Sequence, residues 1–478
     1  MKEGYIKKEN RKKILLLTDD IRVHSGVANV GREVITHTAH RYNWVQMAGA
    51  IKHPEKGKAT DLSPSINKDA NIEDSSVILY PVDGYGDPKS LREIIKLEKP
   101  DALFLITDPR YFEWLFKIEN EIRSQIPIAY LNIWDDLPAP MYNREFYDSC
   151  DALFGISKQT VNINKLVLGK EKCKSKVIKY IPHGLNSNTF KPLDINDKNF
   201  KETKDKINNG QEKDFTLFFN SRNIRRKCIP DTLLAWKIFM DGLTEDERKK
   251  CNFILHTDAV NDAGTDLVAV MNFLFPEKGG GNLILSSQKL TRDQLNHFYN
   301  LADGVILLSS AEGWGLSLTE ALLTATPIIA NVTGGMQDQM RFEDKDGNWI
   351  DFDENIPSNH RGTYKKCGKW ALPVFPTSLS LVGSPKTPYI WDDRCTPEDA
   401  AKQIRKLYDM SKEDRKKIGK AGYDWVTSKE AGFTAQIQGK RVIKGMDELF
   451  KKFKPRKSFT FTKDTNIEKK VLNHKIIY

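Results

Sequence analysis

The chain has 478 residues, enough for two large domains or three smaller ones, with 39% hydrophobic residues, a formal net charge of +10 and a pI near 9.0. No apolar run approaches the roughly 18 residues of a membrane-spanning helix, residues 1–13 are charged with no signal-type apolar core behind them, and the six cysteines are scattered without metal-type spacing. A spanning, disulfide-stapled or wholly disordered chain is thereby excluded, and a soluble cytoplasmic protein with reduced thiols is expected; the positive charge suits acidic ligands, membrane surfaces or nucleic acid, and equally a Lys-rich surface with no partner.

Residues 13–18 form a short buried strand that opens the first α/β unit. A polar turn containing Ser25 and Gly26 leads into a helix over 27–39. Gly26 at that entry can place backbone N–H groups against a phosphate, although Ser-Gly before a helix more often marks a tight turn alone. His37 and His40, three apart, read as partly exposed helix residues rather than a metal pair. Residues 41–76 are polar and irregular, with an amphipathic or edge element over 44–50. Strands follow at 77–80, 102–106, 128–133 and 152–156, with a helix at 88–97 and another capped by Ser157. This alternation is that of a doubly wound parallel sheet. Asp108 and Asp135 stand just past strand ends, where open α/β sheets place their ligand crevice. With no further ligands clustered nearby, Asp135-Asp136 is not read as a metal site. A strand at 177–181 runs into Pro182-His183-Gly184, and 191–213, rich in Asn, Lys and Asp, reads as a linker with a short helix.

The second unit opens with a strand at 215–220 that ends in Ser221-Arg222-Asn223-Ile224-Arg225-Arg226-Lys227, ahead of a helix at 230–240. Four cations at such a junction form either a solvated corner or a grip on a polyanion; Arg suits bidentate phosphate contact and Lys a point charge. Arg225 and Arg226 are read as solvated or facing an acceptor. Strands at 252–256 and 282–285 precede a helix at 290–301 with Thr291 as N-cap. The densest signal follows: a buried strand at 304–308, the turn Ala311-Glu312-Gly313-Trp314-Gly315, a helix from Leu316 through Ser317 and Glu320, a strand at 327–330, then Gly334-Gly335. Gly313 and Gly315 allow close backbone approach, and the free N–H groups at the helix start make an anion site. Were the segment helical, Glu312 and Glu320 would lie about 12 Å apart along its axis, beyond the roughly 5–10 Å of a glycosidase pair. Each better suits its own polar group on one elongated ligand, with phosphates between them, as in a sugar–diphosphate–nucleoside. Taken singly, each Glu reads first as a loop carboxylate near a helix start (Glu312) or a solvated helix residue (Glu320). Residues 341–395 lack periodicity and read as an ordered functional loop, carrying Trp349, Trp370, Tyr389 and Trp391.

Glu312 and Glu320 with seven residues between them, the Gly-Trp-Gly turn and Gly334-Gly335 resemble the donor-binding signature of GT4-type retaining glycosyltransferases (glycosyl transferases group 1). Arg222 and Lys227, five positions apart, match the cation pair with which that family holds the donor diphosphate, with Ser221 and Cys228 where it usually has Gly. Ser25-Gly26 resembles its Gly-rich turn after the first strand. Trp134-Asp135 stands where many members have His-Asp, and Pro182-His183-Gly184 is similar to a Pro-Asn-Gly turn. The N-terminal half resembles, more weakly, glycosyltransferases of tailed bacteriophages. The resemblance implies a GT-B architecture, two Rossmann-like doubly wound domains facing across a cleft. It divides the chain into an acceptor-side domain (1–190), a linker (191–213), a donor domain (214–395) with an insertion at about 341–395, helices crossing back to the first domain (396–450) and a basic tail (451–478). It implies retaining transfer of a hexose or pentose from a nucleoside diphosphate sugar, a UDP-sugar ahead of a GDP- or ADP-sugar, to a hydroxyl of a saccharide or lipid-linked saccharide. The alternatives are hydroxymethylated bases of DNA as acceptor, and a non-catalytic sugar-nucleotide-binding protein. Glu312, Lys227 and Arg222 are the implied catalytic residues. Gly26, Ser25, Gly313, Gly315, Leu316, Ser317 and Glu320 are the implied donor-binding residues, and Asp135, Asp108 and His183 belong to the acceptor or sugar side. No metal or cofactor is implied, and the oligomeric state is left open.

Overall fold

A computed structural model describes residues 4–276 and 280–457; most of the basic tail expected over 451–478 lies outside the described residues. The first domain is a sheet of eight strands: β1 (Lys12–Asp19), β2 (Tyr42–Gly49), β3 (Thr60–Asp61), β4 (Val77–Pro81), β5 (Ala102–Ile106), β6 (Ile128–Asn132), β7 (Ala152–Gly155) and β8 (Val177–Tyr180). Their order is β3-β4-β2-β1-β5-β6-β7-β8, all parallel except β3 against β4. The apolar runs of β1, β5 and β6 are buried on both faces, as helices covering both sides of a parallel sheet require.

The segment 44–50 is neither amphipathic nor an edge. It is β2, an interior strand between β1 and β4, with Trp44, Val45, Met47 and Ala48 all buried. The polar residue that interrupts its pattern, Gln46, is buried too. It donates to the Asp19 carbonyl at 2.7 Å and accepts from the Ile21 N–H at 3.4 Å, closing the turn after β1. The remainder of 41–76, expected to be irregular, contains β3 and the helix Ser63–Ala70.

The second domain is a parallel sheet of six strands, β9 (Phe215–Asn220), β10 (Cys251–His256), β11 (Asn282–Ser286), β12 (Gly304–Leu307), β13 (Ile328–Asn331) and β14 (Ala371–Val374), in the order β11-β10-β9-β12-β13-β14. Within 341–395, β14 is thus the outer strand of this sheet. The rest of that stretch includes an antiparallel hairpin, β15 (Ser378–Ser384) and β16 (Thr387–Arg394). In both sheets the chain winds outward and then returns to the other side of its first strand. The resulting switch points, β1/β5 and β9/β12, are where such sheets hold ligands beyond their carboxyl ends.

The helix Ala435–Lys452 packs on the first domain: Gly439 lies against His37 and Gly445 against Phe154, at positions where a Cβ would collide. Among the described residues no helix is long and apolar enough to cross a membrane.

Candidate active site

The site forms where β12 ends. Ser309 Oγ donates to Glu312 Oε1 at 3.0 Å, and Glu312 is buried at 6% side-chain exposure. The turn is pinned from behind by the paired glycines. Gly335 N–H donates to the Glu312 carbonyl at 2.8 Å, and a Cβ on Gly335 would overlap the Gly313 carbonyl. Gly315 takes a left-handed φ of +84° and starts the helix Leu316–Leu323 with no side-chain cap, leaving the leading N–H groups of Leu316 and Ser317 at the cleft. The helix Gly26–Thr38 begins opposite: a Cβ on Gly26 would sit 3.3 Å from Leu316 Cδ1. Two helix starts, one from each domain, therefore converge on one place, the arrangement that favours an anion.

Beside that place lies a cluster of four charges. Glu312 is ion-paired with the Lys227 ammonium and, at 2.9 Å, with Arg226 Nη1. Arg226 also donates to the Ala311 carbonyl at 2.7 Å and faces Asp135 of the first domain at 3.6 Å. Asp135 Oδ1 in turn accepts from the Gly313 N–H at 3.1 Å, so a first-domain carboxylate braces the second-domain turn. Burial alone would raise the Glu312 carboxyl, but Arg226 and Lys227 overcome it and hold the group at about 2. Burial lowers the Lys227 ammonium against the pull of Glu312, and raises Asp135 against the pull of Arg226. Glu312 is therefore ionised at neutral pH.

Glu320, eight residues on, is half-buried. Its Oε2 accepts from the Tyr299 hydroxyl and, at 3.2 Å, from Asn220 Nδ2, while Oε1 has no hydrogen-bond partner among the described residues. Burial raises its carboxyl, opposed by Tyr299 and Asn220.

The remaining expected residues fall in different places. Arg222 is exposed, and its guanidinium has neither an ion-pair nor a hydrogen-bond partner among the described residues. Its neighbour Arg226, read from sequence as solvated or acceptor-facing, occupies the cluster instead. Nothing in the run of four cations distinguishes the two; the distinction arises because the short helix Arg225–Lys227 turns Arg226 and Lys227 inward. Cys228, where the resemblance expects Gly, adopts the left-handed φ of +49° that favours glycine. The Ser25 hydroxyl is occupied within the fold, donating to Asp19 at 2.6 Å and capping its helix at Ala28 N–H. His183 is buried beneath the turn, edge-on to Trp314 at 6.3 Å, and burial pushes it down to about 3, so it is neutral. Tyr299, which orients Glu320, carried no sequence signal. Asp108 is ion-paired with Arg110 in the wall of a cavity of about 460 Å³ that also reaches Asp135, Arg226, Trp134 and Trp391. Among the described residues no three His, Cys, Asp or Glu side chains are grouped to hold a metal ion.

Residues 267–358, which include Glu312 and Glu320, match the family described as glycosyl transferases group 1. No curated protein matches the chain. Solved structures that align over its length include the Anabaena protein HepE in complex with UDP and glucose (12% identity, TM-score 0.61, 92% of this chain and 100% of that one). Sucrose-phosphate synthase from Thermosynechococcus elongatus aligns likewise (14%, 0.61, 92% and 100%), as does the α,α-trehalose 6-phosphate synthase of Burkholderia multivorans (9%, 0.60, 92% and 98%). The chain therefore has the GT-B fold, with a segment similar to glycosyl transferases group 1 forming the Glu312 side of its cleft.

Proposed function

We propose that the protein is a glycosyltransferase that takes a sugar from a nucleoside diphosphate sugar, with a UDP-sugar as donor, and transfers it with retention to an acceptor hydroxyl. The observation that carries this reading is the convergence of two helix starts, at Gly26 and Leu316, on the Glu312–Arg226–Lys227 cluster. A diphosphate seated between the helix starts meets N–H donors from both domains and the Lys227 ammonium, which Glu312 holds ready. Exposed Arg222, unpartnered at the same strand end, is free to fold onto it. Charge neutralisation there makes the nucleotide a better leaving group. Glu312, ionised and buried, stabilises positive charge developing at the anomeric carbon. Glu320 presents Oε1 to the ribose hydroxyls while Tyr299 and Asn220 fix its other oxygen. The UDP and UDP-glucose named for the Anabaena structures support the donor class. Incubating the purified chain with UDP-glucose and other nucleotide sugars, and measuring UDP release and UDP binding, tests the reading. Binding without release under any acceptor would make it a sugar-nucleotide-binding protein; absence of both would overturn the donor site.

A further inference from the structure

The hairpin β15–β16 belongs to the second domain in sequence but lies on the first. Burial accounts for part of this: Ile390 and Trp391 of β16 pack against the first-domain core, while Leu381 and Val382 of β15 remain exposed. Hydrogen bonds supply the rest. Arg110 Nη1 donates to the Lys386 carbonyl at 2.8 Å and to the Thr387 hydroxyl. Trp391 N–H donates to the Leu137 carbonyl at 2.8 Å, and the Tyr142 hydroxyl to the Tyr389 carbonyl at 2.8 Å. At its base, Asp393 N–H donates to the Ser310 carbonyl at 2.9 Å, beside the Glu312 turn.

The hairpin thereby roofs the cavity of about 460 Å³. Asp108, Arg110 and Trp134 form the first-domain wall, Trp391 and Asp392 the hairpin wall, and Asp135 and Arg226 stand where the cavity meets the charged cluster. A group bound there lies against Ser310, Ala311 and Arg226, the last of them paired with Glu312. Both guanidiniums in the lining are already matched, Arg110 by Asp108 and Arg226 by Glu312 and Asp135. An entering phosphate would have to displace a carboxylate and sit among Asp108, Asp135 and Asp392, an unfavourable exchange. Hydroxyls are favoured instead, because the carboxyl oxygens of Asp108, Asp135 and Asp392 accept hydrogen bonds from them. The indole of Trp391 offers an apolar face, while that of Trp134 is buried in the wall beneath the Arg110 guanidinium at 5.4 Å. A cavity of this size, with apolar walls and a few convergent polar groups, suits a small ligand.

We propose that this cavity is the acceptor site, that it takes one or two rings of an uncharged, hydroxyl-rich saccharide, and that the hairpin is its specificity element; the assignment rests on the transferase reading of the Glu312 site. In the transfer, an acceptor hydroxyl oxygen bonds to the anomeric carbon. The bond from that carbon to the diphosphate oxygen breaks, with its electron pair leaving on the nucleotide, and the acceptor proton passes to that oxygen.

The test is titration of the full chain, with and without UDP, by a panel of neutral methyl glycosides and disaccharides, by glucose 6-phosphate, and by a duplex containing hydroxymethylcytosine, followed by ligand-observed NMR and calorimetry. A neutral saccharide should bind the wild type. Trp391→Ala and Asp108→Asn should each lose at least tenfold of that affinity, Trp391→Phe should stay within threefold, and UDP affinity should stay within twofold throughout. Asp108→Asn keeps the shape of the side chain, so a folding failure of Trp391→Ala would still leave the site tested. Binding of none of the neutral saccharides, preference for glucose 6-phosphate or the duplex, or wild-type saccharide affinity in folded Asp108→Asn would overturn the proposal. Failure of the wild type to bind UDP overturns the donor reading instead, while the titrations without UDP score the cavity separately.

Discussion

Replacing Glu312 by Gln removes one charge from the centre of the cluster and changes little else in shape. The fall of its carboxyl from an ordinary 4.5 to about 2 corresponds to roughly 3 kcal/mol favouring the ionised form in the folded protein. Arg226, 36% exposed at its side chain, shares its field with solvent, so the net effect is expected nearer about 2 kcal/mol. The folded value is depressed, so this stabilisation is complete above about 4.5 and is lost as pH falls towards 2. Urea unfolding of wild type and Glu312→Gln at pH 7 should therefore differ by about 2 kcal/mol, and the gap should close progressively between pH 4.5 and 2. In parallel, Glu312→Gln should abolish sugar transfer with only a modest loss of UDP affinity. Equal stability at pH 7, or a gap that does not respond to acid, would refute the argument that Arg226 and Lys227 hold this carboxylate.

Lys227→Ala should lower kcat/KM for the donor by about 2–4 kcal/mol, as losing one preorganised donor to a leaving group does; a near wild-type value would remove it from the diphosphate. Arg222→Ala should weaken UDP binding, and an unchanged Kd would leave the grip to Arg226 and Lys227. Glu320→Ala should weaken UDP but not a 2′,3′-dideoxy analogue, whereas equal losses for both would dissociate Glu320 from the ribose. Chelation with EDTA should leave transfer intact, because the cations and helix starts of the site already neutralise a diphosphate; activity restored by Mg²⁺ or Mn²⁺ after EDTA would contradict this. Gly335→Ala should destabilise the fold by about 2–4 kcal/mol through collision with the Gly313 carbonyl, measurable by thermal unfolding.

The stretch around Glu312 was legible because three local signals agree there: an apolar run, a pair of glycines and a following helix. Strands β1, β5, β9 and β10 were legible for a related reason, since a strand buried on both faces is a continuous apolar run. β2 was not, because Gln46 breaks its pattern, and only the turn after β1 that Gln46 satisfies makes a buried amide there affordable. Arg226 was hidden among four cations whose difference is one of backbone direction, which composition does not encode. The hairpin was hidden more deeply. β15 has no buried residue, so its pairing with β16 comes from backbone hydrogen bonds that no hydrophobic period announces, and the hairpin's seat on the first domain comes from the turn and β16, through Ile390, Trp391 and the bonds made by Arg110 and Tyr142. The buried position of His183 follows from Trp314, which reaches it from the other domain across 131 positions of chain.

The helix Ala435–Lys452 also fixes an order of events during synthesis. Asp447 receives hydrogen bonds from Arg41 and Tyr42 across about 400 positions, and Gly439 and Gly445 seat the helix on His37 and Phe154. The domain that leaves the ribosome first therefore carries an open apolar face, including Tyr42 and Phe154, until the whole second domain has been translated. At roughly 5–20 residues per second that interval lasts tens of seconds. A chain stopped before 435 should therefore leave that face uncovered and aggregate through it even with its own sheet complete.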